Sequence, residues 1–524
     1  MKNAHEKNGT TNSPRNGRGS VATVFVGMIA ASILVFHAAA VRDVELAELP
    51  SIWRYMDDLA LATQSCLRWK FGSQWQRSKE APLPAEQATP VFQSLLQRRA
   101  SRLSIRPHEF WRNVPFTPFT RQMPPILPPP LEDGGRASLM AIGFMLLGGV
   151  SPYLGLWLGA LLTGPALIWC GLELGRTRGT IAAGVLVFLL AFSPFIVESL
   201  TLPHSAVAFY FLALLVLLAL ACHCVLSARL TWPGFALRAA VAALVFAMGT
   251  ICRATTFALL PAFLIALHLG VRRLVIKAPR RPRIWILTLA AAVLFFVPYT
   301  IMRPERYHNI WVSVWQGLGD YGEDRGYSWS DDVMERHIQQ QGQTRPYTNP
   351  RDVDHEHERL IRRLLIDDIS AHPLWYGSIL VRRFAATVMM NHLLPWGPLD
   401  GESLRQPRHH YKYTTPADWM GLAKRNVELP VQLYWAPAIG LLAAWIVGRF
   451  RGKGGRGRLS DSLGVLGIMA AATLPSPVLI STSAGIETQA FVLVYFSAWA
   501  LALGELCHSA RKLRKLRQQT PAMM

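Results

Sequence analysis

Cysteine is sparse in this chain, and none of it is arranged for chemistry. There are six cysteines and no CxxC spacing. Cys170, Cys222, Cys224 and Cys252 lie in apolar runs, Cys507 closes the last run, and Cys66 sits in a polar loop. That distribution argues against a zinc site and against a disulfide framework. No self-similarity appears at a period of roughly 20–50 residues, which excludes repeat arrays. Acids are also scarce, 33 Asp and Glu against 54 Lys and Arg, leaving a formal net charge of +21.

What the chain has in abundance is long apolar runs. Hydrophobic residues make up 51% of its 524 positions, and they are concentrated in blocks. The clearest blocks are 21–41, 153–175, 180–200, 206–228, 235–252, 254–271, 284–302, 429–450, 463–483 and 484–507. Most reach the ~20 residues that a helix needs to cross a ~30 Å hydrocarbon core. Unpaired backbone groups are costly in lipid, so such runs must be helices that bond internally. The sequence therefore predicts an all-α, polytopic membrane protein of about ten spans with two large outward loops. The first run is followed by Arg42-Asp43-Val44-Glu45 and not by a small-residue cleavage site, so it reads as a permanent span.

The distribution of the positive charge sets the expected topology. Arg176 and Arg178 fill one tight turn, Arg272 to Arg283 one short connection, and Arg451 to Arg458 another. Lys2, Lys7, Arg15 and Arg18 precede the first span, and Arg511 to Arg517 follow the last. Counting spans puts all of these on one side, as the positive-inside rule requires. The charge thus points to membrane lipids and orientation, not to nucleic acid. The resulting layout is a disordered tail at 1–20, a membrane domain at 21–302 with a first outer loop at 42–152, a second outer loop at 303–428, spans at 429–507, and a basic tail at 508–524. Both termini are expected in the cytoplasm of a bacterial inner membrane.

The two outer loops are where chemistry is expected. Val44–Lys70 carries Leu46, Leu49, Trp53, Met56 and Leu59 at helical spacing, an amphipathic helix expected on the membrane face with Trp53 and Tyr55 at the interface. Residues 137–151 are apolar but too short to span, and read as a half-inserted or interfacial helix. Asp43, Glu45, Asp57 and Asp58 fall within sixteen residues of an otherwise basic loop. Carboxylates fixed at the membrane surface can serve as a general base or hold a divalent cation; alternatively they solvate a surface helix. Arg253 ends a span, where its guanidinium fork fits a lipid phosphate or snorkels to ordinary headgroups.

Arg303, Arg306 and His308 open the second loop, followed by Trp311, Trp315 and the Gly317-Leu318-Gly319-Asp320 turn. Glycines permit close backbone approach and aromatic faces pack on sugar rings; the plainer reading is a tryptophan anchor with a turn. The run Asp352 to Glu358 reads as a solvated helix start, since His355 and His357 do not share a helical face. A helix is expected over Glu356–Arg383, broken at His372-Pro373. Arg405, Arg408, His409, His410 and Lys412 form a basic cluster suited to pyrophosphate or headgroups.

Taken together, the acidic first loop with surface helices, Ser193-Pro194 near the outer end of a span, Arg253 at another, and the large late loop resemble the C-type multi-spanning glycosyltransferases. That group includes protein mannosyltransferase and aminoarabinose transferase relatives. The resemblance lies in the layout of roughly 21–400 and in short motifs. It implies a polyprenyl-phosphate sugar donor, transfer on the outer face, and a first-loop acid as base or metal contact, best matched by Asp43. Where that family often carries a second acid after its Ser-Pro segment, this chain has Glu198 and then His204. Trp311–Gly319 with Tyr327–Asp331 is similar to a segment of uncharacterised bacterial relatives. The alternatives are an envelope-glycan polymerase or ligase resting on the late loop, and a transporter or non-catalytic membrane protein.

Overall fold

A computed structural model describes residues 23–29, 31, 52–72, 90–96, 111–123, 135–191, 193, 196, 207–228, 230–275, 281–302, 310–319, 324–327, 336, 340, 355–389, 439–443, 446, 454–480 and 490–519. Their regular structure is helical apart from one two-stranded ladder. In chain order the elements are α1 (Ile52–Phe71), β1 (Val114–Pro115), α2 (Thr117–Gln122), α3 (Gly135–Leu147), β2 (Gly149–Val150), α4 (Leu154–Arg178), α5 (Thr180–Ala191) and α6 (Val207–Ala221). They continue with α7 (Trp232–Cys252), α8 (Leu260–Val275), α9 (Arg281–Met302), α10 (Ile310–Gly317), α11 (His355–Ala371), α12 (Pro373–Met389), α13 (Gly454–Thr473), α14 (Pro475–Leu479) and α15 (Val492–Gln519).

Seven of these helical stretches are long and apolar enough to cross a membrane: Trp157–Arg178, Ala208–Leu226, Trp232–Cys252, Thr255–Val275, Ile284–Ile301, Leu459–Leu479 and Val492–Arg511. The chain is thus an all-α, multi-pass membrane protein. The expected runs at 21–41, 180–200 and 429–450 lie partly outside the described residues; what is described of them is helical apart from Ser193. The last two spans sit at Leu459–Leu479 and Val492–Arg511, offset from the apolar runs at 463–483 and 484–507. Polar turns such as Ser460 to Ser462 join the helix because intrahelical hydrogen bonding extends past the apolar stretch.

Helix ends are made locally. Thr231 caps α7, its Oγ1 accepting from the Gly234 N–H at 3.4 Å. Gly179 (φ 97°) ends α4 and lets the chain turn at once into α5, a conformation that disfavours any side chain. After α7 the chain breaks at Arg253 and resumes as a 3-10 turn over Ala254–Leu259.

Side-chain contacts sort the helix ends into two groups. At one end, Arg178 pairs with Glu505 at 3.0 Å and donates to Ser462 Oγ at 3.3 Å, and Arg273 donates to the Cys224 carbonyl at 3.1 Å. This is the end of the short basic connections. At the other, Gly135 packs on the backbone of Ile251, Arg383 donates to the Val478 carbonyl at 3.2 Å, and Tyr495 donates to the Val388 carbonyl at 2.8 Å. Both long polar segments therefore share the end opposite the basic connections.

Two main cores follow from this. The larger joins α4 to α8 with α13 and α15, and α6 lies at its centre with a run of fully buried Leu, Ala and Phe side chains. The second sits at the long-loop end, where α1 and α3 pack together with Phe92, Phe119 and Trp157. A smaller cluster in the second long segment joins Trp315, Tyr327, Ile361 and Ile379.

Candidate functional site

The long-loop end gathers the described candidates of the first loop and of α7. α1 and α3 run side by side, and their facing positions hold one buried ion pair. Arg136 Nε donates to Asp58 Oδ2 at 2.6 Å, and both side chains are at least nine-tenths buried. The same guanidinium lies over the Tyr55 ring at 5.5 Å, and the Tyr55 hydroxyl donates to the Pro152 carbonyl at 2.9 Å. Tyr55 is therefore a core residue, not the interfacial anchor that helical spacing suggests. α1 uses its apolar stripe to bind α3. Trp53 contributes to the helix, but its side chain lies outside the described residues.

The neighbouring carboxylate has a different fate. Asp57 points off the packed face and is only partly covered. Of the two adjacent acids, Asp58 is buried against Arg136, and Asp57 is the less buried. Cys66, one turn before the end of α1, donates to the Ala141 carbonyl at 2.9 Å. Burial pushes its thiol up to about 12, so it is a packing group and not a nucleophile.

Arg253 occupies the break between α7 and the 3-10 turn, in extended backbone (φ −150°, ψ 109°). The Gly249 carbonyl accepts both the Arg253 N–H at 2.7 Å and the Thr256 hydroxyl at 3.1 Å, which fixes the break. A Cβ at Gly249 would stand 2.9 Å from Thr256 Cγ2, so the close turn needs glycine. The Arg253 side chain is half-buried. Two residues earlier, Ile251 carries the contact with Gly135, next to Arg136. The structure thus brings the α1–α3 unit onto the same helix end as Arg253. Asp43, Glu198, His204, Arg303, Arg306 and His308 lie outside the described residues, as do Glu45 and the 405–412 basic cluster.

The aromatic residues of the second loop are placed, and they are engaged. Trp315 is buried against Tyr327 with ring centroids 5.3 Å apart, and Trp311 lies under the Arg362 guanidinium at 5.5 Å. Arg325 adopts the left-handed region (φ 58°, ψ 23°), unusual for a side-chain-bearing residue. It is held there by Asp368, to which it donates at 2.5 Å and 3.3 Å, and by the Trp375 ring at 5.2 Å. The Tyr327 hydroxyl also donates to Asp368 at 2.9 Å. Burial works to raise the Asp368 carboxyl, but the Arg325 and Tyr327 hydrogen bonds outweigh it and hold the group below its ordinary range. Burial, and then Asp368, push the Tyr327 phenol upward. The α11–α12 break falls at His372, as expected from His372-Pro373.

Sequence reasoning leaves the charges at the margins of the spans unpaired. Glu173 on α4, 2% exposed at its side chain, accepts from Arg238 Nε on α7 at 2.6 Å and bonds His223 Nδ1 at 3.1 Å. His223 sits in a π-helical turn, Cys222–Leu226, at the end of α6, and its Nε2 has no hydrogen-bond partner among the described residues. The signal was present: Glu173 and Arg238 are lone charges at the margins of apolar runs, and such charges pair. Arg136 and Glu505 carried a weaker version of it. Among the described residues no group of three His, Cys, Asp or Glu side chains is arranged to hold a metal ion.

No family model, curated protein or solved structure matches this chain.

Proposed function

We propose that the chain is a membrane glycosyltransferase that takes a sugar from a polyprenyl-phosphate donor and passes it to an envelope glycan, lipid or protein acceptor at the long-loop end, which faces outward. The observation that carries this reading is Arg253. It is a half-buried guanidinium held at a fixed helix break, at the helix end against which α3, the packing partner of acid-bearing α1, also sits. A guanidinium at the membrane surface matches a lipid-borne phosphate, and carboxylates nearby can accept a proton from an acceptor hydroxyl.

In the reaction the acceptor oxygen attacks the anomeric carbon, the bond from that carbon to the phosphate oxygen breaks, and polyprenyl phosphate leaves. The acceptor proton passes to a first-loop carboxylate. Arg253, with Arg303 from the second loop, neutralises the leaving phosphate. Asp43 is the proposed base on the family resemblance, and Asp57 is the less buried of the two described first-loop acids for the same role. Asp58 is withdrawn from that part of the reading, because Arg136 occupies it.

The test is transfer from a polyprenyl-phosphate sugar in proteoliposomes. Arg253→Lys keeps the charge and loses the bidentate fork, so donor binding should fall clearly. Asp43→Asn should leave donor binding intact and slow transfer by about 100- to 10,000-fold. Unchanged binding in the first variant together with unchanged turnover in the second would overturn the proposal.

A second reading, proton-coupled transport, draws on the Glu173–His223–Arg238 cluster, since ionisable groups inside spans mark ion paths. It predicts that Glu173→Gln abolishes pH-gradient-driven solute uptake. The transferase reading predicts no such uptake in the parent protein.

A further inference from the structure

α3 does not stand out from the bundle; it lies across its end. Its first residue, Gly135, meets Ile251, the next-to-last residue of one span. Eight residues on, Gly143 meets Leu154, and Met140 meets Gly155, just ahead of the span that starts at Trp157. A stretch of about 12 Å at ~1.5 Å per residue therefore bridges two span ends. The last turn of α3 continues at that level. There it is joined by the end of α1, through Cys66 and the Ala141 carbonyl, and by the segment at β1, where Asn113 Nδ2 bonds the Leu147 carbonyl.

The tip so formed exposes an unusual set of side chains. Leu146 is 83% exposed, Trp69 and Trp111 55% each, Ile142 50% and Phe71 41%. Arg68, Lys70 and Arg112 are exposed among them. Lys70 lies over the Phe116 ring at 5.0 Å and the Phe71 ring at 5.8 Å. No Asp or Glu occurs in residues 65–72, 111–123 or 135–150. Tryptophan, aliphatic and basic side chains without acids are the composition of a surface that enters the interfacial layer of an anionic leaflet.

We propose that this tip, formed by the ends of α1 and α3 with the β1 segment, is a lipid-binding surface: it docks into the leaflet at the long-loop end, apolar side chains in the acyl boundary and Arg68, Lys70 and Arg112 on anionic headgroups. The position of α3 at the level of the span ends puts the tip within reach of that leaflet. Docking would hold the α1–α3 unit, and the ion pair within it, at a fixed height over the spans.

Fluorescence quenching tests this in the full chain. Leu146→Cys, placed in a Cys507→Ser background so that the remaining native thiols are all buried, carries an environment-sensitive dye. Leu294→Cys, on the exposed side of the span Ile284–Ile301, is the lipid-facing reference. In phosphatidylcholine vesicles, lipids brominated on the acyl chain should quench both dyes, and aqueous iodide should quench neither strongly. Adding phosphatidylglycerol should increase lipid quenching at position 146. The triple variant Arg68→Gln, Lys70→Gln, Arg112→Gln should lose that increase and keep the rest. Free quenching of the 146 dye by iodide, with none by lipid, would place the tip in water and overturn the proposal. Protection from both quenchers would assign the tip to a protein partner or a second copy, and overturn it equally. Failure of lipid to quench the 294 dye would overturn the span assignment itself, and the proposal with it.

Discussion

The two ends of the helix bundle use charge in opposite ways. At the basic end, two described acids lie in the seams between spans: Glu173 joins α4 to α7 and to the π-turn after α6, and Glu505 joins α15 to Arg178 of α4. At the long-loop end, one acid of an adjacent pair is spent in packing and the other is less buried. Asp58 binds Arg136, while Asp57 is half-buried and Arg253 is half-covered at a helix break. The contrast separates charge buried in packing seams from charge that stays partly covered. Packing alone gives apolar helices little reason to choose partners in lipid, so buried pairs supply register at the basic end.

The sharpest way to break this comparison is to remove Glu173. Glu173→Gln leaves Arg238 and His223 without their carboxylate inside the bundle, and losing one partner of a buried pair costs about 3–5 kcal/mol. The midpoint of thermal unfolding in detergent should fall well below that of the parent. Asp57→Asn, by contrast, changes a half-buried side chain outside the seams and should lower it clearly less. Equal losses from the two substitutions would erase the distinction between the ends.

The Asp58–Arg136 pair sharpens it from within the long-loop end. Asp58→Leu and Arg136→Met should each destabilise the α1–α3 unit by about 3–5 kcal/mol, because each strands a buried charge. The double variant should recover much of the loss, since apolar side chains of similar volume often replace a buried pair with little penalty. Unfolding measured on both single variants and the double variant gives the coupling directly. Additive losses would mean that the two groups do not act as a pair.

How far the sequence foretold these features depends on how local each one is. The apolar runs revealed the spans because a period of about 3.6 residues and a fixed hydrocarbon thickness are both properties of a single segment. The break at His372-Pro373 was equally plain, since proline acts on its immediate neighbours. The grouping of both long loops at one end agrees with the Lys and Arg distribution. Tyr55 was misjudged because amphipathic spacing identifies an apolar stripe without saying whether lipid or another helix covers it; here α3 does. Pairs such as Glu173 with Arg238, or Asp58 with Arg136, join residues far apart in the chain. Only the fold brings those partners together, so each appears in the sequence as an isolated charge. At the candidate site, Arg253 was visible as a charge at a span end, but the Gly249 carbonyl that fixes its break was not.

The smallest expected effect concerns the second long segment, where an ion pair is neither buried in a seam nor free. Asp368 holds Arg325 in its left-handed conformation and accepts from Tyr327, with side-chain exposures of 23% for Asp368 and 33% for Arg325. The sign of its pH dependence follows from the two shifts. Asp368 is held below its ordinary value of 3.8, so its contribution is present above that pH and is lost as pH falls through the lower folded value. Tyr327 is pushed above its ordinary value of 10.0, so its contribution is present below that pH and is lost as pH rises through the higher folded value. A partly exposed pair of this kind is worth about 1 kcal/mol or less, so the effect is local and not global. Amide exchange over 360–380, corrected for its intrinsic pH dependence, should show protection weakening below about pH 4 in the parent. Asp368→Asn should begin with weaker protection at neutral pH and lack the acid-dependent step. Retention of that step in the variant would assign it to another carboxylate.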